Sequence, residues 1–313
     1  MKYTLIILLC LIASPALAQG LQPKSGEPVE ITADGSLEWN RTDKTFIARK
    51  NALAKQGPSS IKAETLTAHY RDGQGGGMDV HSVQAVTSVE LKSNDSTAYG
   101  EKADYDLDKS YAILTGQNLR LISPEQTITA TERFEYWVNE GKFNAVGNAK
   151  VDRKNTKGET DTLQADTISA ILKDNAAGER KLETLEAVGN VVITTPTEKV
   201  TGQHGIYHAS TNKATLTGNV ILHRGPNMLE GERAEVDMNT NTSQLFGGAA
   251  SATQSGQVKG IFYPGSEKKD GKSKSIIPGP LGVPTPGASS GKAPDALAPP
   301  PIDENQPGML TVP

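Results

Sequence analysis

The sequence of 313 residues contains one cysteine, few aromatic residues and no long apolar run. Cys10 lies within the short N-terminal apolar segment, so neither disulfides nor thiolate chemistry is expected in the rest of the chain. Aromatic residues make up only 5% of the sequence, which predicts an apolar face built from short side chains. The formal net charge is −4, which argues against a nucleic-acid-binding surface over the whole molecule.

Patterns that would indicate catalysis are also missing from the sequence. There is no nucleophile elbow and no zinc motif, and the glycine-rich stretch 73–77 lacks the lysine of a phosphate-binding loop. His204 and His208 would share one face of a strand, but they lack partners at metal-ligand spacing. We therefore expect no enzyme activity, no metal and no cofactor.

Acidic residues recur once per repeat, at the same place in each unit. A catalytic carboxylate pair is normally a single event in a chain, so these residues are interpreted as a turn or ladder feature. They are Glu64, Glu101, Glu132, Asp166 and Glu232.

The two ends of the chain differ in composition from its middle. Residues 1–18 are typical of a cleavable signal peptide, with basic Lys2, an apolar run over Leu5–Ala13 and small residues before Gln19. The run is shorter than the roughly 18 to 20 residues that span a bilayer. Residues 19–27 are interpreted as a flexible leader. Residues 264–313 hold eleven of the eighteen prolines and are predicted to be a disordered tail.

Residues 28–263 carry a repeated pattern of alternating apolar and polar residues. Three of its copies contain a Gly-Asn pair between two apolar stretches, which indicates half-buried strands meeting at a tight turn or a bulge. These pairs are Gly147-Asn148, Gly189-Asn190 and Gly218-Asn219.

A second module alternates with the first, as in LQADTISA from Leu163 and LEGERAEV from Leu229. The step from Val200 to Leu229 is 29 residues, and the step from Leu229 to Val258 is the same. A fixed period indicates a repeat architecture in which each unit buries its apolar face by stacking on the next. We predict an all-β, antiparallel protein of about seven two-strand units, whose apolar face must curl on itself, cover a partner or hold an apolar ligand.

The repeats A-x-L-T-G-N-V-x-L and the opening P-V-E-I-T-A-D resemble the OstA-like family. The resemblance covers about residues 28–263 and implies a twisted β-jellyroll slab, open at both ends, that shields the lipid A acyl chains of lipopolysaccharide in the periplasm. It also implies head-to-tail self-association and a bridge from an inner-membrane LptC-type jellyroll to an outer-membrane LptD-type jellyroll. The groove positions that it implies are Val29, Ile31, Val89, Leu91, Leu114, Leu119, Leu121, Phe143, Leu216, Val220 and Leu222.

Three other interpretations stay open at this point. The chain is compatible with another OstA-like or LptC-like jellyroll of outer-membrane assembly, although the expected cleavable signal and the expected lack of an anchor or a following barrel weigh against it. A β-helix protein that binds or cleaves polysaccharide is disfavoured because the Gly-Asn turns and the period of about 29 residues favour antiparallel units. An exported adhesin would differ from these in being extracellular.

Overall fold

The computed structural model describes residues 28–73, 77–93, 95–155, 157–175, 180–240, 242–248 and 256–264. The predicted signal peptide, the leader and all of the proline-rich tail after residue 264 lie outside these ranges. Everything described belongs to one compact unit within Met1–Lys268.

In the described ranges, eighteen strands form one antiparallel sheet and no helix is found. This confirms the prediction of an all-β, antiparallel fold. The first nine strands are β1 (Glu30–Thr32), β2 (Ser36–Asn40), β3 (Thr45–Gln56), β4 (Ser59–Asp72), β5 (Met78–Ser93), β6 (Ser96–Asp106), β7 (Tyr111–Thr115), β8 (Leu119–Ile122) and β9 (Gln126–Ala130). The others are β10 (Arg133–Trp137), β11 (Lys142–Lys154), β12 (Thr160–Asp174), β13 (Arg180–Thr194), β14 (Glu198–His208), β15 (Lys213–Arg224), β16 (Asn227–Asp237), β17 (Thr242–Phe246) and β18 (Lys259–Ile261).

Short strands occur in four pairs, and each pair takes the place of one long strand. β1 and β2 pair with different parts of β3, and β7 and β8 pair with different parts of β6. In the same way β10 and β9 both pair with β11, and β17 and β18 both pair with β16. Ten long strands and four such pairs give fourteen passes of the chain, in agreement with about seven two-strand units.

Five of the ten long strands are interrupted near the middle by a β-bulge. On β11 the register shifts between Val146 and Ala149, so that Gly147 and Asn148 together lie opposite the single residue Asp166 of β12. Both have a left-handed backbone, with φ of 88° and 43°, which glycine and asparagine adopt at low cost. The same left-handed pairs are found on β3, β5, β13 and β15, at Lys50-Asn51, Thr87-Ser88, Gly189-Asn190 and Gly218-Asn219.

The Gly-Asn pairs therefore lie inside strands, and the alternative of a tight turn is wrong for them. The hairpin connections fall elsewhere, for example between β13 and β14. The repeated acidic residues lie across from the bulges: both Oδ atoms of Asp166 accept hydrogen bonds from Asn190 Nδ2, at 3.1 and 3.0 Å. The recurrence of an acidic residue in each unit thus coincides with the recurrence of the bulge.

The bulges divide the sheet into two parts, which we call sheet I and sheet II. Sheet I contains β2, β7, β10 and β17 with the adjoining parts of the long strands, and sheet II contains β1, β8, β9 and β18 with the remaining parts. Buried side chains of both parts belong to one hydrophobic core, for example Leu114 and Phe143 of sheet I and Leu119 and Val151 of sheet II. The two parts therefore bury their apolar faces against the same interior.

The strand pairing ends at β1 and β2 on one side and at β17 and β18 on the other. Among the described strands, β1 and β2 pair only with β3, and β17 and β18 pair only with β16. The described strands therefore form an array with two terminal edges, and no pairing closes it on itself.

Candidate functional site

A cavity of ≈ 90 Å³ lies in the interior between β4 and β12, bounded by both sheet I and sheet II. Its volume leaves room for roughly six to nine groups of the size of a water molecule. The wall is mostly apolar, and its larger apolar side chains are Ile61, Val83, Leu91, Ile113, Leu114, Leu121, Ile128, Phe134, Phe143 and Leu172.

The cavity exists because many inward positions around it carry alanine. Ala85, Ala98, Ala103, Ala112 and Ala170 all line it, and their side chains end at Cβ. Strand alternation directs these residues inward, but their methyl groups do not reach the opposite sheet. The short apolar side chains that the sequence predicts therefore leave empty space between the two sheets here.

Two tyrosines of sheet I contribute phenol groups to the wall. Burial raises the pKa of Tyr136 to about 12, although Arg180 Nη1, which donates a hydrogen bond to its hydroxyl, acts in the opposite direction. Burial also raises the pKa of Tyr105. Both phenols are therefore neutral at neutral pH, while the guanidinium of Arg180 contacts one of them and Asp104 also lines the cavity.

Polar side chains reach the wall from sheet II, at the ends of strands. Ser96 and Gln126 are the first residues of β6 and β9, and each directly follows a hairpin connection. Ser123 donates hydrogen bonds from N and Oγ to the backbone oxygen of Gln126, at 2.9 and 3.2 Å. The cavity thus has an apolar body and a small polar patch beside a hairpin.

A second and much smaller cavity of ≈ 20 Å³ lies between β12 and β15. It has room for about one water-sized group. Larger side chains fill this part of the interior: Leu163, Leu185 and Val191 line the small cavity and are almost completely buried. The same repeat therefore produces an open interior in one region and a packed interior in another.

The structure distributes the eleven groove positions of the sequence analysis over several environments. Four of them line the larger cavity, and one lines the smaller cavity. The four are Leu91, Leu114, Leu121 and Phe143, and the one is Leu216.

The other six positions line neither cavity. Val89, Leu119 and Val220 are buried in the core, with exposed fractions of 1%, 1% and 0%. Ile31 and Leu222 are partly buried, and Val29 precedes β1 and is 53% exposed.

Sequence reasoning missed the polar patch and the tyrosines of the larger cavity. A signal for the patch was present in the sequence. In successive units the second module contains a small residue, namely Ala63, Gly100, Ala130, Ala165, Gly202 or Gly231, and the residue four positions before it is polar. These residues are Ser59, Ser96, Gln126, Asp161, Glu198 and Asn227.

The histidine pair of the sequence analysis, His204 and His208, lies on β14. His204 Nε2 lies 2.7 Å from Glu186 Oε1, and groups of three or more metal-ligating side chains are not found in the described ranges. In the same ranges no helix is long and apolar enough to cross a membrane.

Comparison with known families matches most of the strand region to one family. Residues 30–142 and again residues 139–242 match the family described as LptA/(LptD N-terminal domain) LPS transport protein. The chain belongs to this family. The double match reflects the internal repetition, since each match covers several of the two-strand units and the two together run from β1 to β17.

Two individual similarities accompany the family match. An uncharacterized protein of Rhizobium meliloti (strain 1021) is 30% identical over 122 residues, which is 36% of this chain and 65% of that protein. The match thus spans less than two thirds of that relative's length.

The other similarity is to a crystal structure from Pseudomonas aeruginosa. It is described as LptH, the LptA homologous periplasmic component of the conserved lipopolysaccharide transport device. The alignment covers 76% of this chain and 96% of LptH, at 12% identity and a TM-score of 0.18. Because this TM-score is low, the fold is assigned from the strand pairing of this chain and not from the similarity to LptH.

Proposed function

We propose that this chain is a periplasmic carrier that binds the lipid A acyl chains of lipopolysaccharide in the larger cavity during transport to the outer membrane. The observation that carries this proposal is an apolar cavity between sheets I and II in a member of an LPS transport family. Leu91, Leu121 and Phe143 would contact the acyl chain, because they project into the cavity from strands of both sheets.

Binding would be driven by burial of apolar surface. At ~25 cal/mol per Å², an acyl segment that fills the cavity would be held without any directional contact to its methylene groups. Such binding tolerates sliding along the chain, which suits a carrier that must release its lipid. No chemical step is part of this function.

The terminal edges support a second part of the proposal, which is assembly into a bridge. Trp39 on β2 is 48% exposed, and Phe262 after β18 is 67% exposed. Unpaired strand edges with exposed apolar side chains favour strand addition by another chain. The edges would receive a second copy of this chain, or LptC-type and LptD-type jellyrolls of the inner and outer membranes, and so connect the two membranes. Export of the chain by the segment 1–18 belongs to the same proposal.

The binding proposal is tested by filling the cavity. Ala112 lines it and is partly buried, so Ala112→Phe would place a ring in space that an acyl chain would otherwise occupy. We expect the purified variant to bind lipopolysaccharide at least tenfold more weakly than the parent chain, in a titration followed by displacement of a fluorescent apolar dye. Unchanged binding by a folded Ala112→Phe protein would remove the cavity from the proposal.

A matched control is available on the outer surface. Lys213 is 60% exposed at its side chain, and its ammonium pairs with Asp237 at 3.1 Å. Lys213→Phe adds the same ring outside the interior and is expected to leave lipopolysaccharide binding unchanged.

A further inference from the structure

Two buried polar atoms on the wall of the larger cavity have no hydrogen-bond partner in the structure. They are Ser96 Oγ and Gln126 Oε1. Ser96 is 1% exposed and Gln126 is 7% exposed, so bulk water does not serve these atoms. Leaving a buried polar atom unpaired costs stability, and nearly all such atoms in folded proteins are satisfied.

The two residues occupy the same position in their repeats. Each is four residues before the small residue of the second module, Gly100 in one case and Ala130 in the other. Each is also the first residue of its strand, beside a hairpin connection. The unpaired atoms therefore lie where the apolar wall ends and the rim of the sheet begins.

The equivalent residue of the packed region has a different environment. Glu198 Oε1 lies 3.7 Å from Arg224 Nη1, and Glu198 Oε2 is buried without a partner, but Glu198 lines neither of the two cavities described above. At this position of the repeat, three described residues thus carry a buried side-chain atom without a partner, and of these Ser96 and Gln126 line a cavity described above.

We propose that Gln126 and Ser96 form a polar subsite that accepts a hydrogen bond from the group at the head of a bound acyl chain. This inference rests on the proposed function and adds to it a preference among acyl ligands. A side-chain carbonyl oxygen only accepts hydrogen bonds, while a hydroxyl both accepts and donates. The subsite therefore favours ligands with an amide N–H or a hydroxyl next to the chain over ligands whose head group only accepts.

A pair of neutral amphiphiles tests this preference on the full chain. Dodecanamide has two N–H donors, and N,N-dimethyldodecanamide has none but keeps the same chain and carbonyl. We expect the parent protein to bind dodecanamide about tenfold more tightly, which corresponds to ~1.4 kcal/mol. Displacement of a fluorescent apolar dye measures both affinities.

Substitution of the subsite should remove the preference while keeping the binding of the chain. In Gln126→Leu the ratio of the two affinities should fall from about ten to about two, with the dimethyl amide bound as well as before. Glu198→Gln, the substitution at the equivalent position of the packed region, should leave the ratio at about ten. If Gln126→Leu does not fold, Ser96→Ala provides the same test with the loss of one hydroxyl.

The outcomes separate the subsite from the proposed function. Equal affinities of the parent protein for the two amides would overturn the subsite, because trapped water would then serve both atoms, and would leave the binding of acyl chains intact. A ratio that is the same in Gln126→Leu and in the parent would also overturn it. If neither amide displaces the dye from the parent protein, the proposed binding of acyl chains itself fails.

Discussion

The region between β4 and β12 and the region between β12 and β16 are built from the same repeat but differ in their interiors. The first holds a cavity of ≈ 90 Å³, and the second holds one of ≈ 20 Å³. Both have bulged strands and both face inward with apolar residues. The repeat therefore determines how the strands are arranged, while the volume of the inward side chains determines how much space is left between the two sheets.

Equivalent positions make the comparison direct. Ala112 and Leu114 in the first region correspond to Ala214 and Leu216 in the second, and each leucine lies against a glycine fourteen residues earlier. A Cβ on Gly202 would lie 2.8 Å from Leu216 Cγ, and one on Gly100 would lie 2.7 Å from Leu114 Cγ. What differs is the space left around them: Leu163, Leu185 and Val191 are almost completely buried beside the smaller cavity, whereas five alanines are among the residues that line the larger one.

The largest expected effect is the loss of a packed leucine in the second region. Leu185 is 2% exposed, so Leu185→Ala should lower the free energy of unfolding by ~2–5 kcal/mol. Leu121→Ala in the first region should cost less than half of that, because Leu121 is only partly buried beside existing space. Urea unfolding measures both, and equal losses would contradict the difference in packing.

Adding volume should also be tolerated less well in the second region than in the first. Ala214 is buried between Tyr207 and Val236 on the neighbouring strands, so Ala214→Phe should overpack the interior and cost ~1–3 kcal/mol. Ala112→Phe should cost little, since its ring has the cavity to occupy. Thermal melting of the two variants checks this, and a similar fall in Tm for both would mean that the first region is as tightly packed as the second.

A smaller effect is expected at Gly100 and Gly202, which hold equivalent positions in the repeat. Gly202→Ala should cost ~1–2 kcal/mol, because Leu216 must move within a filled interior. Gly100→Ala should cost less, because Leu114 can move into the cavity that it lines. Denaturant midpoints measure this pair, and a larger loss for Gly100→Ala would break the comparison.

The smallest effect concerns pH at the rim of sheet II. Burial raises the pKa of Glu198, and the attraction of Arg224 only partly offsets it. The folded protein therefore keeps this proton at a pH where the unfolded chain has lost it. Stability should accordingly fall as pH rises from the ordinary pKa of glutamate, about 4.3, through the raised value.

Glu198→Gln removes this contribution, so its Tm should decline less than that of the parent chain as pH increases through this window. Lys213→Gln, on the outer surface, is the control and should keep the parental decline. Parallel profiles for Glu198→Gln and the parent would show that burial does not disfavour ionisation of this carboxyl.

Much of the fold could be predicted from the sequence because its signals are local. Alternation of apolar and polar residues predicted antiparallel strands, and the recurrence of the modules predicted about seven two-strand units; both were confirmed. The Gly-Asn pairs were identified as special positions, but turns and bulges share the same left-handed residues, so the sequence did not distinguish them. Lys50-Asn51 and Thr87-Ser88 adopt the same backbone without glycine.

The candidate site was less accessible to sequence reasoning. Leu121 and Leu222 hold equivalent places in the repeat, yet only Leu121 lines the larger cavity. Their difference arises from side chains far away in the sequence, such as Ala170 facing the first region and Leu185 in the second. A periodic pattern reports which residues face inward, but it does not report the volume left between two sheets. The role of each predicted groove residue in binding lipid stays a prediction.

The most direct test of the account places a photocrosslinkable amino acid at Leu121, at Leu222 and at outward Lys213 in living cells. The account predicts lipopolysaccharide adducts at Leu121, with at most weak adducts at Leu222 and none at Lys213. Adducts of equal yield at Leu121 and Leu222 would mean that lipid passes through both regions alike. No adduct at Leu121 in a folded, exported protein would contradict the binding of acyl chains in the cavity.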